Sequence, residues 1–340
     1  MMLAPKAALT VGNRLYEEQI VALRLRRTRA PGLDRLEVAM PLATRFSAEP
    51  GEDCALRLDG GDARGGGGSA DVFTGQITEV RRRGDALVVV AHNGGRALAR
   101  FRPVGAFEQI GVDEVIGQFC GEAAIEVTLQ IDAPVLALYA ADGHATALQE
   151  IARLAALAGG AAAFDGRGRL HVTEHGGPDD ELALRYGREL TALEINEGRQ
   201  PEETITLVGE GAGGPRTPQA RWLTTDFLSG SAHAAGMGAR RRRVPELRDS
   251  DDTEAAAAAL AARRSAAARP VRLQTWLMPR LAPGMRLEIA DLQAPLSLDD
   301  CRVTQVVSTL SPGGRAGTQV WATGRPAAGG GLLGMLRGML

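Results

Sequence analysis

Apolar and polar positions alternate along much of residues 1–95, and a period of two predicts strands. Gln19-Ile20-Val21-Ala22-Leu23-Arg24-Leu25-Arg26 follows this pattern, and residues 34–40 repeat it after Ala30-Pro31-Gly32, which predicts a hairpin. Another strand opens at Pro50-Gly51 and ends at Leu58. Residues 60–68 hold too little apolar material to order themselves and predict a mobile loop. Residues 72–80 and 86–91 predict two more strands, joined by the charged tip Arg81-Arg82-Arg83-Gly84-Asp85.

The period changes after Gly111, where Val115, Ile116 and Phe119 are three and four apart and predict a short helix. A longer helix is predicted over 146–158, with Leu148, Ile151, Leu154, Ala155 and Leu157 on its apolar face and Gly159-Gly160 ending it. The segment from Phe164 to Val172 predicts two short strands about a Gly-rich turn. Strand character returns at 203–209, followed by a loop rich in Gly, Pro and Arg. A helix over 252–267 then follows; it is mostly alanine, buries little area per side chain and is expected to lie shallowly on a larger body. Strands resume at 271–278, 285–292, 301–310 and 318–323.

The two ends of the chain share an order of elements. Pro50-Gly51, Ala55-Leu56-Arg57-Leu58, Ile77-Thr78-Glu79-Val80 and Leu87-Val88-Val89-Val90 match Pro283-Gly284, Met285-Arg286-Leu287-Glu288-Ile289, Val303-Thr304-Gln305-Val306 and Thr318-Gln319-Val320-Trp321. The spacing differs mainly by residues 60–68, and an internal duplication follows. The fold class expected is α+β, mainly antiparallel β: two similar β-barrel-like domains with an inserted helix-containing α+β domain.

With 340 residues, 44% hydrophobic and 24% charged, the chain is long enough for two or three folded units, and global disorder is excluded. A net charge of −2 gives no electrostatic drive toward nucleic acid, and the Arg richness beside a single lysine, Lys6, is read as genomic. Cys54, Cys120 and Cys301 are too scattered for a disulfide framework and are expected to be packing residues in a reducing compartment. No secretory signal and no apolar run able to span a bilayer is found, so assembly in the cytoplasm and no stable membrane insertion are expected.

Candidate chemistry is sparse. The run Gly65 to Gly68 lacks the Lys-Ser/Thr of a phosphate loop, and no nucleophile elbow occurs. His171 and His175 are four apart, but on an alternating strand that spacing spans ~13 Å, too far for one metal ion. His92, His144 and His233 are expected on the surface or in loops, and Arg81 to Arg83 and Arg240 to Arg243 in solvated loops. Asp249 to Asp252 suits a helix N-terminus. No catalytic residue, cofactor or metal ligand is assigned. The segment 327–331 is a flexible hinge, and the apolar residues Leu332, Leu333, Met335, Leu336, Met339 and Leu340 that follow it are candidates for covering a partner.

Phe73-Thr74-Gly75-Gln76-Ile77-Thr78-Glu79-Val80, a hairpin, and an Ala-rich helix leading into Leu281-Ala282-Pro283-Gly284-Met285-Arg286-Leu287 resemble the late control protein D family, across most of residues 10–325. That family comprises baseplate hubs of contractile phage tails and related injection systems. The resemblance implies a structural protein rather than an enzyme, a homotrimer whose six similar β units adapt a hexameric tail tube protein to a trimeric spike protein, with other baseplate proteins as further partners. No cell-wall-cleaving domain or β-helical spike is appended, so the spike would be a separate chain. The expected division is a first β-barrel domain over 1–95, a peripheral α+β domain over 96–199, a second β-barrel domain over 200–326, and a tail over 327–340. A tail-associated cell-wall hydrolase and a carbohydrate- or protein-binding module remain alternatives.

Overall fold

A computed structural model describes residues 5–61, 68–177, 180–196, 202–209, 229–234, 237–248, 250–267, 270–290, 298–311 and 315–326. The N-terminal part contributes seven strands: β1 (Lys6–Val11), β2 (Arg14–Tyr16), β3 (Ala22–Thr28), β4 (Arg35–Pro41), β5 (Asp53–Asp59), β6 (Ser69–Arg83) and β7 (Ala86–His92). They pair in the order β3-β4-β7-β6-β5-β1-β2, every contact antiparallel. The predicted alternation is what the burial follows. Leu36, Val38 and Met40 of β4 and Cys54, Leu56 and Leu58 of β5 point into one core, each large apolar chain contributing about 1.5–3 kcal/mol by its removal from water. The β6–β7 hairpin is tighter than expected: pairing runs through the arginines as far as Arg83 opposite Ala86. Only Gly84, at φ +63°, and Asp85 make the turn.

A middle body follows, built from α1 (Gly95–Arg100), β8 (Val104–Gly111), α2 (Val112–Glu122), β9 (Val127–Gln130), β10 (Val135–Asp142), α3 (Ala147–Leu157), β11 (Ala161–Phe164) and β12 (Leu170–Thr173). Thr146 caps α3 with a capping box: its hydroxyl accepts from the Gln149 N–H, and the Gln149 side chain accepts from the Thr146 N–H. The predicted apolar face of α3 is buried through Leu148, Ile151, Leu154 and Ala155, against Phe119 of α2 and Tyr139 of β10.

The chain then runs through β13 (Glu181–Arg185) and β14 (Leu190–Ile195), three strands β15 (Glu202–Val208), β16 (Ser229–Ala234) and β17 (Met237–Arg243), and α4 (Ser250–Ala267). It ends in β18 (Pro270–Thr275), β19 (Arg286–Ala290), β20 (Leu298–Leu310) and β21 (Ala316–Pro326). These pair as β14-β18-β21-β20-β19-β13 around a second β core that includes Leu190, Leu273, Leu287, Val303 and Val320. Together the two β units form one 13-stranded sheet, with no closed barrel among the described residues.

Three expectations differ here. The strands β13 and β14, within the span expected for the peripheral domain, belong to the second β unit. Conversely, β15 to β17 form their own small sheet, and Ile205, Leu207, Val244 and Leu247 join the core of the middle body. The alanine-rich α4 is not shallow: Ala256, Ala257 and Ala261 are buried in that same core, because small side chains let the helix backbone approach closely. No helix among the described residues is long and apolar enough to cross a membrane.

The β units are copies of one plan. In each, five strands pair antiparallel in the same spatial order, β3-β4-β7-β6-β5 in the first and β14-β18-β21-β20-β19 in the second. Registers match: Cys54 lies opposite Gly75 as Leu287 lies opposite Cys301, and Val90 opposite Glu37 as Trp321 opposite Arg272. Both long strands break register at one threonine, between Ile77 and Glu79 and between Val303 and Gln305. Thr78 Oγ1 donates to the Val90 carbonyl at 3.2 Å, and Thr304 Oγ1 to the Trp321 carbonyl at 3.0 Å. The Pro-Gly corners also correspond. Gly51 N–H donates to the Ile77 carbonyl at 2.7 Å and Gly284 N–H to the Val303 carbonyl at 2.9 Å. The second copy carries β15 to β17 and α4 inserted between its first two strands.

Candidate functional site: the joint between the β units and its open edges

The two copies are welded edge to edge. The C-terminal half of β20 leaves β19 and pairs antiparallel with β3, Gln305 opposite Thr28 through Leu310 opposite Leu23. Alternation on β3 aims Leu23, Leu25 and Arg27 inward and Arg24 and Arg26 outward, so Arg27 occupies a core position of an amphipathic strand. Its guanidinium donates to the carbonyls of Pro279 and Leu281 of the second unit, tying the two copies by a charged side chain only 3% exposed. Burial lowers its pKa to about 10, with the Asp34 charge acting the other way.

Asp34 is 2% exposed, and its Oδ1 accepts the Thr28 N–H at 2.8 Å. Burial raises its pKa to about 7. The bond from Thr28 and the charge of Arg27 favour the carboxylate but do not outweigh desolvation.

The middle body completes the joint. Arg29 N–H donates to the Thr304 carbonyl and Ala30 N–H to the Ala162 carbonyl, so the end of β3 is held by β20 and by β11. A cleft of about 930 Å³ opens where the three meet, lined among others by Arg29, His175, Arg263, Asp300, Arg302 and Trp321. Burial lowers the Arg29 pKa to about 10, helped by the charges of Arg263 and Arg302. Burial likewise lowers the pKa of His175 below its ordinary 6.5, with Arg302 acting in the same direction.

The sheet ends differ from the joint. Residues 79–83 of β6, the counterparts of 305–309 in β20, pair only with β7 among the described residues. Among the described residues the outer edge of β14, the counterpart of β3, terminates the sheet. Val306, Val307 and Ser308 are buried at the joint, whereas Val80 is half-buried and Arg81 and Arg82 are exposed. Leu23 and Leu25 are buried, whereas Leu193 and Ile195 are half-buried.

The residues singled out from sequence fall as follows. Leu332, Leu333, Met335, Leu336, Met339 and Leu340 lie outside the described residues, as do most of residues 60–68. Arg81 to Arg83 and Arg240 to Arg243 stand on strands β6 and β17 rather than in loops, because their segments pair with β7 and β15. His171 is on β12, its Nε2 3.0 Å from Asp165 Oδ2, while His175 lies beyond the strand end in a turn. His92 is half-buried at the end of β7 with Nδ1 3.2 Å from Thr78 Oγ1, a correction to the expected surface position; His144 is exposed in a loop. No metal-ligand cluster occurs among the described residues. The three cysteines are buried, and burial pushes each thiol up to about 12.

Sequence reasoning missed the joint itself. Its one local signal was Arg27, an arginine on the apolar phase of β3.

No family model matches the chain, and no curated protein matches it in sequence. Solved structures do. The tail protein from Neisseria meningitidis MC58 superposes with a TM-score of 0.67 at 14% identity, over 94% of this chain and 97% of that one. The 43 kDa tail protein of prophage MuSo2 from Shewanella oneidensis gives 0.67 at 12% identity, over 94% and 98%. An E. coli component of the type VI secretion system, described as structurally similar to the T4 bacteriophage tail proteins gp27 and gp5, gives 0.58 at 13% identity, over 94% and 79%. The chain has the fold shared by these tail proteins and this secretion-system component.

Proposed function

We propose that the protein is a structural component of a phage tail or tail-like injection particle, and within it the baseplate hub: a homotrimer joining a hexameric tail tube to a trimeric spike, of the late control protein D kind. The observation that carries this reading is the duplication with its intrachain joint. One chain already holds two copies of a unit side by side in a defined edge-to-edge relation, so three chains present six similar units on one face while keeping threefold symmetry on the other. The role is structural rather than catalytic, and no cofactor is involved. Tube, spike and other baseplate proteins are the partners proposed, with no nucleic acid and no membrane insertion. Leu332, Leu333, Met335, Leu336, Met339 and Leu340 are proposed to cover one of them.

Mass photometry of the purified chain, alone and with the neighbouring tube and spike proteins, tests the reading. A trimer by mass, imaged as six-lobed rings by negative-stain electron microscopy, is expected. A chain that stays monomeric at every concentration and binds neither partner overturns it. Deleting residues 327–340 should leave the trimer intact and weaken capture of one partner at least tenfold.

A further inference from the structure

The joint inside the chain specifies a second joint between chains. We propose that the open edge of β6 in one protomer pairs antiparallel with the open edge of β14 in the next, in the register that β20 and β3 already use. This rests on the homotrimer reading above and names its contact surface.

The derivation needs only the equivalence of the copies. The matched bulges and shared Val90–Trp321 position place residues 79–84 on 305–310. The pairings of Glu37 with Arg24 and of Arg272 with Glu194 place residues 193–196 on 23–26. Carrying over the internal register, in which Val307, Ser308, Thr309 and Leu310 face Arg26, Leu25, Arg24 and Leu23, sets Arg81 against Asn196, Arg82 against Ile195, Arg83 against Glu194 and Gly84 against Leu193.

Two further observations fit. The positions buried at the internal joint are those left part-exposed at the edges: Val80 where Val306 is buried, Leu193 and Ile195 where Leu23 and Leu25 are buried. Charge is complementary, since three exposed arginines line one edge and Glu194 is exposed on the other with only a 4.0 Å contact to Arg272. Because the two edges are different surfaces, the contact is head-to-tail and propagates around a ring instead of stopping at a dimer. Arginines on an edge strand can also act as guards against edge-to-edge association. The experiment separates that role from a docking role.

Arg83→Cys and Glu194→Cys are introduced together in the full chain and oxidised with copper phenanthroline; the native cysteines are buried. A covalent trimer is expected on a non-reducing gel. Each single variant should give none, and an equal mixture of the singles should stop at dimer. Moving one cysteine to Arg81 should lower the yield at least tenfold. Arg83→Glu should raise the trimer dissociation constant by about tenfold, and adding Glu194→Arg should restore it. A trimer seen by mass photometry without cross-linking or charge rescue overturns this pairing and leaves the trimeric hub standing. A strict monomer overturns both.

Discussion

Gly177, at the close of the middle body, and Gly284, at the Pro-Gly corner of the second β unit, lie backbone against backbone: a Cβ on Gly284 would stand 2.6 Å from the Gly177 Cα. Gly284 also has φ +93°, where a side chain is strained in any surroundings. Its counterpart Gly51 has φ +103° but nothing within 4 Å of an added Cβ. The pair separates two costs. Gly51→Ala should lose only the backbone term, about 1 kcal/mol, and Gly284→Ala about 2–4 kcal/mol, both read from urea midpoints.

The matched threonine bulges give a second test of the duplication. Thr78→Val and Thr304→Val each keep shape and remove the Oγ1 hydrogen bond to the facing carbonyl, at an expected cost of about 1 kcal/mol. Because the two lie in different units, the costs should add within about 0.5 kcal/mol in the double variant, measured by chemical denaturation.

Asp34 makes the joint pH-sensitive. Its folded pKa is raised from 3.8 to about 7, so the folded state holds this proton more tightly than the unfolded chain does. Its contribution to stability is full below the unfolded value and is lost as pH rises from 3.8 through about 7. The lowered pKa values of His92 and His175 act in the opposite sense near their ordinary 6.5, so the difference between variants is the informative quantity. Thermal midpoints of Asp34→Asn should fall less steeply with rising pH across this window than those of the parent. Parallel curves would show that Asp34 does not titrate in it.

A half-buried ionic network fixes the inserted segment to the middle body. Arg153 of α3 donates from Nε to Glu150 at 2.8 Å and from Nη1 to Glu246, beyond β17, at 2.7 Å. Tyr139 OH donates to the same Glu150 oxygen at 2.9 Å. Arg153→Ala should cost about 1–3 kcal/mol, and Lys should restore little, since one ammonium cannot serve both carboxylates in the guanidinium's geometry. A double-mutant cycle with Glu246→Ala should show a coupling of about 1 kcal/mol.

The legible parts of the fold were those written in local periodicity. The alternation of β4 and β5 and the three- and four-residue spacing in α2 and α3 each read out a face that meets a core, and burial follows it. The Ile77-Thr78-Glu79-Val80 and Val303-Thr304-Gln305-Val306 match carried the duplication because each copy places a threonine at its bulge, with the hydroxyl bonded to the facing carbonyl. Boundaries of the bodies were not legible. Nothing local in Leu190 to Ile195 shows that β14 pairs with β18 across a long insertion, and nothing in an alanine helix shows which core it enters. The joint was hidden for the same reason: β20 and β3 are brought together by tertiary packing, and Arg27, polar on the inward phase of β3, was its local sign.

The pairing of β20 with β3 has a consequence for biosynthesis. β3 emerges early from the ribosome and β20 late, so a nascent or truncated chain carries the first unit with its joining edge bare. Along that edge the β3 backbone has no partner until β20 is made, and Arg27 lacks the Pro279 and Leu281 carbonyls to which it donates. The last-made strands therefore close what the first-made ones leave open, and the bond between the two units forms only once the chain has been translated through residue 310.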